Sequence, residues 1–113
     1  MAKILVAGLL NVETTVAVDG FPIAYRPVRY PFHGIHSTVS GVGFNVSKAL
    51  TTLGNAVDCL ALIGDDVAGQ AVRNELAALA IDDRQVLSLL QATPQSAVFY
   101  DPSGQRMVNT DLK

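Results

Sequence analysis

A chain of 113 residues is long enough for one compact core and too short for two ordinary domains. Half of its residues are hydrophobic and only 16% are charged, an apolar balance that suggests surface covered by something else, while a net charge of -2 without a Lys/Arg cluster gives no footprint for nucleic acid. No apolar run approaches membrane-spanning length, and the N-terminal run meets Asn11 and Glu13 at once with no small-residue cleavage site, so the sequence reads as a soluble cytoplasmic protein without a membrane partner.

In chain order, Lys3 to Leu10 is a continuous run rich in Val, Ile and Leu, which predicts a central strand buried on both faces. Val12 to Val18 alternates over β-branched residues and predicts a half-exposed strand closed by Asp19-Gly20. Three prolines among Phe21, Tyr25, Tyr30 and Phe32 then exclude helix and central strand, leaving a loop or edge segment. Gly34 to Ser40 returns to strand character. From Phe44 to Leu53 the apolar positions Phe44, Val46, Ala49, Leu50 and Leu53 recur at helical spacing and predict a core-facing stripe, stopped by Gly54-Asn55.

Ala56 to Ile63 predicts another strand, with Asp58 emerging at an edge or pairing locally and Cys59 a reduced core thiol. Asp66 is placed to cap a helix over Val67 to Ala80 whose core face is Val67, Val72, Leu76, Leu79 and Ala80. Capping explains Asp65 and Asp66 better than a metal pair does. Gln85 to Leu90 is a short strand candidate, and DPSG, Asp101 to Gly104, joins a hairpin spanning residues 95–111. Strand, helix, strand, helix is the grammar of an α/β domain with a parallel sheet.

The stretch SGVGFNVSKALTTLG, Ser40 to Gly54, holds the chemistry. Gly41 and Gly43 fill two positions of a dinucleotide G-x-G-x-x-G, but Val46 stands at the third, and no Gly-Lys-Ser/Thr follows for a phosphate loop. Two readings stay open. The glycines allow backbone N–H groups close to a ligand, with the Asn45 amide matching hydroxyls that both donate and accept. Alternatively, they only fit a tight strand-to-helix turn.

Four segments in one order carry a resemblance. KILVAGLLNVE, SGVGFNVSKALTTLG, LIGDDVAGQAVRNEL and TPQSAVFYDPSGQRM together resemble the N-terminal part of the PfkB or ribokinase-like carbohydrate kinases, across essentially the whole chain. The resemblance implies an α/β fold of ribokinase-like type, a parallel sheet layered with helices plus a small β-strand lid. Residues 1–113 would be the N-terminal portion of that single domain, with lid strands around 12–19 and 34–40. It implies that Asn11 and Glu13 bind sugar hydroxyls, a carboxylate being able to accept from two neighbours at once. Gly41, Gly43 and Asn45 would face the same sugar, and Ser96 and Val98 would line the pocket.

The family also implies ATP and Mg2+ with a sugar substrate, phosphoryl transfer depending on a C-terminal Gly-Ala-Gly-Asp segment with its general base. No such segment occurs in these 113 residues, so no catalytic residue is assigned. Glu13 stands where Asp is usual, Ser40 replaces a glycine, and Val42 replaces a lysine of several members, which leaves the sugar's identity open. Arg26 and Arg29 could read a phosphate on the substrate or be solvated lid residues. His33 and His36 lack a third partner for metal and read as surface residues. The alternative to a kinase half is a non-catalytic module that binds a small polyol or dimerises through its lid strands. A homodimer through those strands is expected on the kinase reading too, and an open sheet edge would favour association.

Overall fold

The computed structural model describes residues 2–113. Its elements are β1 (Lys3–Ala7), β2 (Asn11–Ala17), β3 (Ile35–Ser40), α1 (Val42–Thr52), β4 (Ala56–Gly64), α2 (Val67–Ala78), β5 (Asp82–Leu90), β6 (Gln95–Tyr100) and β7 (Arg106–Asp111). They form two sheets: a parallel three-stranded sheet ordered β1-β4-β5, and a four-stranded sheet ordered β3-β2-β6-β7.

Both helices cover the same face of the parallel sheet. Alternation along β4 turns Val57, Cys59 and Ile63 towards Phe44 of α1 and Val72 and Leu76 of α2, while Leu10, Ile81 and Val86 close the cluster. The opposite face carries Leu5, Leu60, Leu62 and Leu87, and all four are exposed. The central position therefore belongs to β4. β1 is an edge strand with Lys3, Leu5 and Ala7 exposed, contrary to the expectation of a strand buried on both faces, because the helices cover only one side.

The helical stripe on α1 also needs correction. Gly43, Phe44 and Ser47 are its buried residues, whereas Val46 and Ala49 are exposed and Leu53, at the cap, is 77% exposed. Small residues face inward because α1 crosses the start of the chain closely: a Cβ on Gly43 would stand 2.6 Å from the carbonyl carbon of Gly8. Hydrophobic periodicity marks apolar positions, and backbone proximity decided which of them went inside. On α2, Val72 and Leu76 are buried, while Val67 is exposed and Ala80 lies beyond the helix at a φ of 56°.

β2 pairs antiparallel with β3 and parallel with β6, and β6 returns antiparallel through β7. The β6–β7 turn is organised by Asp101, whose Oδ1 accepts from the backbone N–H groups of Ser103 and Gln105 and from the Ser103 hydroxyl. Val12 and Val39 pack one face of this sheet on the core, so the alternate residues share the other face.

Candidate functional site

The two sheets are joined by three crossings of the chain: Gly8 to Leu10, Gly41, and Gln91 to Pro94. The first two lock together. Gly41 has a φ of 100°, a region that disfavours any Cβ, and a Cβ there would collide with the carbonyl of Leu9. The N–H of Gly43 donates to that same carbonyl at 2.9 Å. The close approach these glycines permit is thus to the chain's own first crossing, which gives the tight-turn reading a physical basis.

Beside this junction the register sets Asn11 opposite Ser40, and Glu13 between Thr38 on β3 and Ser96 on β6. Ser96 in turn faces Thr110 on β7. Aligned residues share a face, so Asn11, Glu13, Thr38, Ser96 and Thr110 form one polar row across the four strands. The Asn11 Nδ2 donates to Ser96 Oγ at 2.9 Å, and Ser96 Oγ donates to Thr110 Oγ1 at 3.2 Å. Asn11 and Ser96 are 3% and 7% exposed, and Glu13 is half-buried. The Oδ1 of Asn11 is buried and has no hydrogen-bond partner among the described residues. A cavity of about 380 Å3 reaches Ser96 and Thr110, but Thr14, Gln95, Ala97, Asn109 and Asp111, which alternate with the polar row, make up most of its lining, and neither Asn11 nor Glu13 lines it.

The other sequence-selected residues distribute unevenly. Val98 is 2% exposed on the same face of β6, one alternation beyond Ser96. Asn45 is exposed on α1, where it lines a shallow groove with Lys48 and Thr52, and no hydrogen bond joins it to Asn11, Glu13 or Ser96 among the described residues. Arg26 and Arg29 line a separate cavity of about 280 Å3 in the proline-rich loop, past the far end of β2 from Asn11. Arg26 pairs with Asp19 at 3.8 Å, and Arg29 donates to the carbonyl of Ala17. His36 Nε2 lies 2.8 Å from the carbonyl oxygen of His33. Asp66 caps α2 by accepting from Gly69 N–H at 2.8 Å, and Asp58 lies 3.9 Å from Lys3 on the uncovered sheet face.

Thr38, Thr93 and Thr110 escaped sequence reasoning. Thr93 is fully buried and donates through Oγ1 to Asp66, 27 positions away. The only local signal was a Thr-Pro pair ahead of a strand, which fixes a turn but names no partner.

A parallel sheet with helices on one face, joined through three crossings to a four-stranded sheet with a polar row at its root, is a ribokinase-like arrangement. Solved structures align with it closely. A microbiome-derived acarbose kinase matches at a TM-score of 0.83 and 25% identity over 97% of this chain and 36% of that one. A ribokinase from Cryptococcus neoformans, solved with ADP, matches at 0.78 and 20% over 98% and 35%. A Burkholderia thailandensis nucleoside kinase, solved with inosine, matches at 0.79 and 18% over 96% and 34%. The chain therefore spans about a third of the length of these structures. No curated protein matches the sequence. The family model described as pfkB family carbohydrate kinase matches residues 1–113, and the chain belongs to that family.

Proposed function

We propose that this chain supplies the sugar-binding half of an ATP-dependent carbohydrate kinase, holding a sugar or sugar-like polyol at the root of the four-stranded sheet. Asn11, Glu13 and Ser96 engage hydroxyls, Val98 backs the floor beneath them, and Gly41 and Gly43 bring backbone to the rim, with Asn45 on the first turn beyond. The observation that carries this reading is the Asn11 side chain: buried, fixed at Nδ2 by Ser96, and left with an unpartnered Oδ1. Buried polar atoms are rarely left unsatisfied without a reason, and an unpartnered acceptor two residues from a half-buried carboxylate on the same strand face suits a ligand rich in hydroxyl donors. The four-stranded sheet acts as the lid, and a pair of copies meets through its edges.

On this reading the residues named above are assigned to the sugar and not to the nucleotide. The N-terminus of α2 already carries the Asp66 carboxylate, which repels phosphate, and the first turn of α1 gives its Gly43 N–H to Leu9. Among the described residues no group of three or more His, Cys, Asp or Glu suits a metal ion.

Calorimetric titration of the chain with ribose, fructose, inosine, acarbose and fructose 6-phosphate tests the proposal. Saturable binding of at least one, weakened tenfold or more by both Asn11→Ala and Glu13→Ala, supports it. Absence of binding across the set, or binding indifferent to both substitutions, overturns it.

A further inference from the structure

The third crossing between the sheets is held by a device that sequence spacing does not reveal. β5 ends at Leu90 in one sheet and β6 begins at Gln95 in the other, so four residues must redirect the chain. Thr93, in the middle of that turn, is buried completely. Its backbone N–H donates to Asp66 Oδ2 at 2.9 Å, and its hydroxyl donates to Asp66 Oδ1 at 2.5 Å while accepting from the Gly64 N–H at 3.0 Å. One carboxylate thereby caps α2 through Gly69 and grips both polar groups of Thr93. The crossing is also pressed against the end of β4, since a Cβ on Gly64 would lie 2.6 Å from the carbonyl carbon of Ala92.

Directly beyond Thr93 the chain enters the candidate site. The carbonyl of Pro94 accepts from the N–H of Val12 at 3.2 Å, and Ser96 meets Asn11 at 2.9 Å. A strand that entered the sheet one residue early or late would turn Ser96 to the opposite face. The register of β6 therefore decides whether Ser96 reaches Asn11 at all.

We propose that Asp66 and Thr93 are positioning residues for the Asn11–Ser96 pair, the carboxylate fixing where β6 enters the four-stranded sheet and thereby holding Ser96 against Asn11. The consequence for ligand recognition rests on the sugar-binding reading above; the positioning itself does not. The carboxylate has no need to touch the ligand. Its hydrogen bonds to Thr93 and the positive end of α2 keep it ionised, which suits a clamp that must hold two donors at once.

The test is nuclear magnetic resonance of the chain without ligand. In Thr93→Val, which keeps the side-chain shape and loses the hydroxyl, the Asn11 side-chain amide resonances should move towards unbonded positions. Exchange of the Val12 amide should accelerate at least tenfold, and Thr93→Ser should restore both. Leu79→Ala, a change in partly buried packing away from the crossing, provides the comparison for destabilisation alone and should leave the Asn11 resonances in place. If Thr93→Val does not fold, Asp66→Asn carries the same measurement. Wild-type Asn11 resonances and Val12 protection in the Thr93 or Asp66 variant overturn the proposal, and so does an equal response in Leu79→Ala. Should these signatures change as expected while no sugar binds the wild-type chain, the positioning role stands and the sugar reading falls.

Discussion

Asn11 and Ser96 stand 85 positions apart in the chain and share a 2.9 Å hydrogen bond that spans two strands of one sheet. Because the Asn11 Oδ1 has no partner among the described residues, Asn11→Ala removes one satisfied donor and one unsatisfied acceptor together. The stability cost should be small, within about 1 kcal/mol, since deleting an orphaned polar group offsets the lost hydrogen bond. Ligand affinity should fall tenfold or more. Paired thermal melts and titrations separate the two effects; a large loss of stability would contradict the account of Asn11 as a binding residue.

Gly43→Ala should act in the opposite way. Its new Cβ would stand 2.6 Å from the Gly8 carbonyl carbon, a backbone atom that cannot swing aside. Overpacking of this kind costs about 2 kcal/mol, which for a domain of this size lowers Tm by roughly 10 °C. A thermal melt within about 2 °C of wild type would show that the two crossings are not in rigid contact.

The two faces of the parallel sheet should respond differently to truncation. Leu76, fully buried between α2 and β4, should cost about 2–5 kcal/mol as Leu76→Ala. Leu5, 59% exposed on the uncovered face, should cost well under about 1 kcal/mol as Leu5→Ala in the same denaturant titration. Similar losses at both sites would mean that something covers the Leu5 face in solution.

Much of the layout was legible because it is written locally. The strand Ala56–Gly64, the Asp66 cap and the turn at Asp101 follow from apolar runs and turn chemistry within a few residues. Three features were not. The stripe Val46, Ala49 and Leu53 has helical spacing yet points outward, because the inner face of α1 is the one on which Gly43 approaches Gly8 and Ser47 meets Cys59 of β4. β1 looks like a buried central strand, because its sequence records apolar character and not which neighbour it has. The union of Asp66 with Thr93 depends on a contact across 27 positions that no window along the chain contains. Of the residues assigned to the sugar, Asn11, Glu13 and Ser96 meet in one row, and Asn45 lies apart from them.

Acid should loosen the third crossing. The hydrogen bonds from Thr93 and Gly69 hold the Asp66 carboxyl below its ordinary value of 3.8, and a carboxylate whose folded pKa is depressed stabilises the fold fully above its unfolded pKa. That contribution is lost as pH falls through the lower, folded value. Wild-type stability should therefore drop more steeply than that of Thr93→Val below about pH 4 in urea melts. Parallel curves would remove Asp66 from the acid response. Asp101, whose carboxyl is likewise lowered by Ser103, acts equally in both proteins and cancels.

Cys59 should be inert while the fold is intact. Burial raises its thiol above the ordinary range, against the opposing effect of Ser47, whose hydroxyl lies 2.9 Å from the sulfur. Iodoacetamide at pH 8 should label it slowly in the native chain and rapidly in urea, as followed by intact mass. Rapid labelling of the native chain would mean that the α1–β4 interface opens often.

The parallel seam between β2 and β6 sets an order of events in time. Val12 faces Gln95 across this seam, and α1, β4, α2 and β5 all lie between them in the chain. Contacts of such long range form late, since the entropy of closing the intervening loop is spent before they return any stability. During synthesis the β2–β3 pair must therefore wait with one edge of β2 open until β6 has left the ribosome, the interval in which a strand of β-branched residues is most exposed to wrong partners.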